Sequence, residues 1–256
     1  MDYLDHLSRI RFPAPSAANR WGMVAQGGNL SPGILLSAYE QGIFPWYEEE
    51  PIVWFSPDPR FVLYLDRFRI PRRFRRELRS RAREASLRVS ADTAFERVIS
   101  RCRSIRLESG EVGTWITPEM REAYTTLHDL GVAHSVEVWQ EEELVAGLYG
   151  VATGGLFAGE SMFSDLRNGS KYALVALVGL VKVLGLPSID CQSHTDNLER
   201  FGALEIPRRR FLSELAALRE SPVAIPRDWT AFDWSDLLRA GTELADRNAA
   251  GQQQRS

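Results

Sequence analysis

The stretch LFAGESMFSDLRNGSKYALVALVGLVKVLGLPSIDCQ, residues 156–192, reads as strand, helix, strand, and its reading decides the fold. Residues 156–161 are a short, largely apolar run behind the turn signal at 153–155. Ser170 is placed to cap a helix over 171–184, on which Leu174, Leu177, Val178 and Val181 make the apolar face. Gly185 and Pro187 stop that helix and leave 188–192 as a second short strand. A helical crossover of this length makes its two strands parallel neighbours in a right-handed unit, with their C-terminal ends on one edge of the sheet. Glu160 and Asp190 then face one crevice. The period of two puts Gln192 on the same side as Asp190 and Cys191 on the other. Open sheets bind ligands at such edges. Spacing alone leaves two readings open: a site, or carboxylates satisfied as cap or turn residues.

Working outward, 133–139 alternates, 140–143 is an acidic turn, and 144–152 returns the chain toward 156–161, which makes an antiparallel meander. Before it, Thr117 caps and Pro118 starts a helix whose apolar face is Met120, Ala123, Tyr124, Leu127 and Leu130, ended by Gly131. Nearer the N-terminus, Ser31 and Pro32 open a helix with Ile34, Leu35, Ala38 and Tyr39, which Gly42 ends. Residues 43–61 hold Phe44, Trp46, Tyr47, Trp54 and Phe55 among four prolines, so rings sit on a stiff loop and a boundary falls near 60–62. The expected architecture is mixed α+β, with one β-α-β crossover. A small N-terminal domain spans 1–61, a second domain 62–222, and a C-terminal tail 223–256 ends in AAGQQQRS, which reads as disordered.

The 256 residues are 44% hydrophobic and 25% charged, enough for a sizeable core. The first 20 residues mix charges with prolines, unlike a signal peptide or membrane span, so a cytoplasmic protein without membrane association is expected, a monomer by default. Cys102 and Cys191 read as free thiols. His6, His128, His134 and His194 are scattered, with no zinc-ligand spacing, so no metal is expected. There is no GxSxG elbow and no Walker loop. RNGSK at 167–171 has the helix start but not the glycines of a coenzyme A loop, which disfavours an acyl-CoA-dependent N-acyltransferase; no cofactor is expected. Net charge is −3, yet ten arginines fall between Asp66 and Arg88. They read either as a solvated helix face or as phosphate contacts.

The motifs GIFPWY, VWFSPDPR, GTWITPEM, AHSVEVW, GLYGV, LFAGESMFS, GSKYAL, IDCQ and EIPRR occur in this order between 42 and 209. Together they closely resemble the leucyl/phenylalanyl-tRNA–protein transferase family, over nearly all of the chain up to about residue 218. The resemblance implies a GNAT-like acyltransferase domain after the small N-terminal one. It implies transfer of Leu, Phe or, less readily, Met from aminoacyl-tRNA to acceptor proteins that begin with Arg or Lys, marking them for N-end-rule degradation. Glu160, Asp190 and Gln192 would be catalytic, and Tyr39, Trp46 and Tyr124 would hold the tRNA's terminal adenosine. Leu148, Phe157, Met162, Leu174, Leu177, Val181 and Ile189 would line the side-chain pocket, and tRNA phosphates would meet Arg72, Arg73, Arg76 and Arg79. Phe55 and Leu148 stand where the family often has Trp and Met, apolar exchanges that leave the reaction intact. Asn197 and Glu199 depart more. A binding module that recognises tRNA ends or basic N-termini without transfer is the rival from another class.

Overall fold

The computed structural model describes residues 8–81, 87–108, 114–220 and 223–253. A three-stranded sheet of β1 (Met23–Gln26), β3 (Val53–Phe55) and β2 (Phe44–Pro45) serves the N-terminal part. The rest is built on a seven-stranded sheet. Its spatial order is β10 (Leu204–Ile206), β4 (Arg60–Tyr64), β9 (Ser188–Gln192), β8 (Leu156–Ser164), β7 (Glu143–Thr153), β6 (Ala133–Gln140) and β5 (Leu87–Ala91). All its neighbours are antiparallel except β8 and β9, which run parallel. Mixed α+β is the observed class.

Helices cover both faces. On one lies α5 (Gly169–Val183), apolar along nearly its whole length, with Leu174, Val178 and Val181 in a cluster that takes in Leu148, Phe157 and Ile189 from the sheet. On the other lie α3 (Phe95–Glu108) and α4 (Pro118–Asp129), joined by α1 (Pro32–Glu40); Ile34, Tyr39, Val98, Tyr124, Tyr149 and Phe163 share that cluster. Among the described residues, the N-terminal part therefore closes its core on the second unit's sheet and has no separate apolar centre. The remaining helices are α2 (Arg72–Arg81), α6 (Asp196–Arg200), α7 (Arg208–Glu220) and α8 (Trp234–Gln253). No helix among the described residues is long and apolar enough to cross a membrane.

Local chemistry explains most of these boundaries. Thr117 Oγ1 accepts from Met120 N at 3.2 Å, with Pro118 in the first turn of α4. The start of α5 differs from the expectation. Its cap is Asn168, in the left-handed region at φ 65°, and Ser170 is the second residue of the helix. Asn tolerates that region, and its amide bonds Glu77 Oε2 and Lys171 Nζ instead of capping. Within the stretch expected as a C-terminal tail, the described residues 223–253 include a long helix. Residues 234–253 form α8, which crosses α5 where a Cβ on Gly179 would sit 1.9 Å from Leu237 O, and one on Gly241 2.1 Å from Val175 O. Two glycines let the backbones meet. Asn248 Nδ2 then ties α8 to Leu65 O and Phe68 O, each at 2.8 Å. The stretch AAGQQQRS continues α8 as far as Gln253, and its last three residues lie outside the described residues.

Candidate active site

The site begins where β8 and β9 part. They pair only at Phe157↔Ile189 and Ala158↔Asp190. Just beyond, each strand carries a bulge against its other neighbour. Gly150 faces Gly159 and Tyr149 faces Ser161, so Glu160 is the extra residue in β8. Val62 faces Asp190 and Phe61 faces Gln192, so Cys191 is the extra residue in β9. A bulge bends its strand and re-aims its side chains. Gly150 permits the first one, since a Cβ there would lie 2.2 Å from Ala158 O. The second places Gln192 in the left-handed region at φ 62°. A cavity of about 590 Å³ opens over the gap, with Gly159, Glu160 and Ser161 on one side and Cys191, Gln192 and Ser193 on the other.

Glu160 is buried at this gap and accepts three hydrogen bonds. Tyr39 Oη (2.7 Å) and Gln192 Nε2 (2.6 Å) meet its Oε1, and Tyr124 Oη (3.3 Å) meets its Oε2. The two tyrosine hydroxyls also touch each other, so their two protons are shared among three contacts. Burial pushes the Glu160 carboxyl up to about 7; the negative charge of Asp190 adds to this, and the three donors oppose it. Gln192 gives its NH₂ to the carboxylate, which leaves its carbonyl oxygen free to accept a hydrogen bond from a ligand.

Asp190 sits behind this pair. Its carboxylate is clasped by Arg60 through Nε (2.8 Å) and Nη2 (2.6 Å), and its Oδ1 also accepts from Gln192 backbone N at 2.9 Å. Arg60 is 1% exposed, donates to Gly42 O, and lies against the rings of Phe44 and Phe211. Asp190 is thus a neutralised anchor of the Gln192 backbone. The expected alternation fails here: Cys191 and Gln192 both line the cavity and Asp190 does not, because the bulge at Cys191 breaks the period of two. Burial holds the Cys191 thiol far above its ordinary pKa, in a neutral, poorly nucleophilic form.

Six of the seven expected pocket residues, Leu148, Phe157, Met162, Leu174, Leu177 and Ile189, line the apolar part of the cavity. Val181 lies one turn further along α5, sealed in the core. Trp46 stands at the mouth, 48% exposed, edge-on to Phe55. Tyr39 and Tyr124, expected on the tRNA adenosine, do not line the cavity; they are buried behind Glu160 with their hydroxyls on it. Arg72, Arg73 and Arg76 are exposed along α2, well apart in sequence from the cavity, and the Arg79 side chain lies outside the described residues. Among the lining or supporting residues that carry no site expectation from the sequence are Arg106, Trp115 and Arg60. Trp115 and Arg60 fall inside quoted motifs, GTWITPEM and VWFSPDPR, which was their only signal. His194, Asp196 and Glu199 meet on the exposed corner at α6, with no buried ligand atom among them.

The sequence matches the model of the family described as leucyl/phenylalanyl-tRNA protein transferase over residues 62–216, and the model of that family's N-terminal domain over 28–58. A leucyl/phenylalanyl-tRNA–protein transferase of Anaeromyxobacter sp. (strain K) is 51% identical over 82% of this chain and 89% of its own length. One of Myxococcus xanthus (strain DK1622) is 50% identical over 82% and 88%. Among solved structures, L-PGS from Bacillus licheniformis overlays 82% of this chain and 70% of its own at a TM-score of 0.37 and 13% identity, too slight a likeness to support a functional reading.

Proposed function

The chain belongs to the leucyl/phenylalanyl-tRNA–protein transferase family, and from that membership and the cavity we propose how it carries out the family's reaction. It is an aminoacyltransferase that moves a leucyl or phenylalanyl group from tRNA to a protein. The apolar part of the cavity takes the amino-acid side chain, Trp46 stacks on the terminal adenosine, and the ester carbonyl lies over the gap between β8 and β9. The acceptor is the α-amine of a protein that begins with Arg or Lys, in the cytoplasm, and the modified protein is an N-end-rule substrate. The chain acts as a monomer. Its 62–222 unit is read as GNAT-like on one observation: within the sheet, the antiparallel series β5 to β8 meets a parallel partner, β9, splayed at a bulge.

The observation that carries the reading is the Gln192 amide, on a residue that lines the cavity, fixed by Glu160 through its NH₂ and by the Asp190 anchor at its backbone. An aminoacyl ester is already activated, and an α-amine with a pKa of about 8 is a competent nucleophile near neutrality. Gln192 Oε1 accepts one amine N–H and aims the nitrogen lone pair at the carbonyl carbon. The C–N bond forms, the ester C–O bond breaks, and the proton lost by nitrogen ends on the ribose hydroxyl. Orientation of this kind supplies about 7–11 kcal/mol in favourable cases. The side-chain pocket gains about 0.8 kcal/mol per buried methylene, so it takes Leu and Phe, and Met less readily, and refuses charged side chains by desolvation. Arg72, Arg73, Arg76 and Arg79 on α2 are the proposed phosphate contacts.

Incubation with radiolabelled Leu-tRNA and an Arg-initiated peptide tests this reading. Label on the peptide without any acyl-CoA supports it, and no transfer overturns it. Repeating tRNA binding across salt concentrations with Arg72, Arg73 and Arg76 reversed to Glu should flatten the salt slope; an unchanged slope returns them to a solvated face.

A further inference from the structure

Tyr39 and Tyr124 come from different parts of the chain, α1 and α4, and meet at one carboxylate. Tyr39 is 5% exposed and Tyr124 fully buried, so a ligand in the cavity reaches either hydroxyl only through Glu160. We propose that Tyr39 and Tyr124 are positioning residues that act on the transfer step through Glu160, holding its carboxylate in the one orientation that fixes the Gln192 amide. This rests on the role given to Gln192 above.

The donors divide the carboxylate between them. Oε1 is shared by Tyr39 and Gln192, and Oε2 belongs to Tyr124. With both tyrosines in place, the carboxylate can neither rotate nor turn Oε1 away from Gln192. If the hydroxyls are removed, a buried carboxylate loses two of its three donors; the charged form is then less favoured, and the group holds its proton to higher pH. A protonated Glu160 no longer demands the Gln192 NH₂, so the amide is free to turn and its carbonyl oxygen loses its aim at the amine. The groups that face Glu160 are Tyr39 from α1, Tyr124 from α4, Tyr149 from β7, and Gln192 and Asp190 from β9. Asp190 is already matched by Arg60 from β4. Cys102 and Arg106 from α3 stand next to Tyr149. Through Tyr39, the N-terminal part of the chain becomes a working component of the transfer site.

The test is the steady-state pH profile of the full chain carrying Tyr39→Phe, Tyr124→Phe and both, with Leu-tRNA and an Arg-initiated peptide. Expected is a fall in kcat of about tenfold to a hundredfold at neutral pH, an alkaline shift of the rising limb, partial recovery of rate above it, and a KM for Leu-tRNA within about twofold of wild type. In a Glu160→Gln background the same Tyr→Phe changes should cost nothing further, because the group they hold is gone. Thermal melts separate misfolding from this effect, and a variant that melts early is compared through the Glu160→Gln background alone. A raised KM with kcat and pH profile unchanged would make the tyrosines direct tRNA contacts and overturn the proposal. So would additive losses in the Glu160→Gln background. If wild-type protein transfers no label, the functional reading itself fails, which is a different result from normal transfer by the Tyr→Phe variants.

Discussion

Two glutamates are buried in the same sheet, two strands apart, and only one of them belongs to the site. Glu137 on β6 is fully buried and accepts from Ser90 Oγ (2.7 Å), Ser135 Oγ (2.5 Å), Thr93 Oγ1 (3.1 Å) and Ala94 N (3.4 Å) at the start of α3. Glu160 on β8 accepts from two tyrosines and a glutamine. Burial raises both carboxyls above the ordinary range. A shifted pKa therefore does not tell them apart. The partners do: every donor to Glu137 is a short hydroxyl or a backbone amide turned inward, whereas Gln192, a donor to Glu160, itself lines the cavity. A buried carboxylate becomes a site when one of its partners faces room for a ligand.

The largest effect should separate the two by rate. Glu160→Gln should lower single-turnover transfer about a hundredfold, as expected when an orienting hydrogen bond is lost, while Glu137→Gln leaves it within about twofold of wild type. Equal losses in the two variants would erase the distinction drawn from their partners. The next effect runs the other way. Glu137→Ala strands two serines, a threonine and the Ala94 amide, and should cost about 3 kcal/mol in urea unfolding, with the rate of the surviving folded protein unchanged.

How much of this was legible in the sequence follows the same division. The helix at Pro118–Asp129 and the strand–helix–strand between 156 and 192 announced themselves through caps, prolines and periodicity, because those signals are local. Six pocket residues came from the family resemblance, since periodicity alone reads them as core. What local signals missed depends on chain segments far apart. Arg60 reaches Asp190 across 130 residues. The bulge at Cys191 needs β4 as the reference strand, and α8 owes its seat to two glycines 62 positions apart, Gly179 and Gly241. The tyrosines were linked to the reaction by their motif, but their place behind Glu160 follows from how α1 and α4 pack, which no spacing encodes.

The smallest effect is one of pH on stability, and it tests whether the two carboxylates are equally sealed. Glu160 titrates near 7 when folded, against the ordinary carboxylate value of 4.5. Between those values the folded chain keeps a proton that the unfolded chain has released, so stability falls as pH rises through this window and levels off above it. From pH 6 to pH 8 the loss from Glu160 is about 1.4 kcal/mol. Glu137 contributes with the same sign, since its carboxyl is also raised. Urea titrations at a series of pH values should show this slope in wild type, a shallower one in Glu160→Gln, and one shallower still when Glu137→Gln is added. A slope unmoved by Glu160→Gln would mean that water entering from the cavity already solvates that carboxylate. Glu137, which does not line that cavity, would then be the only one of the two whose charge is paid for in stability.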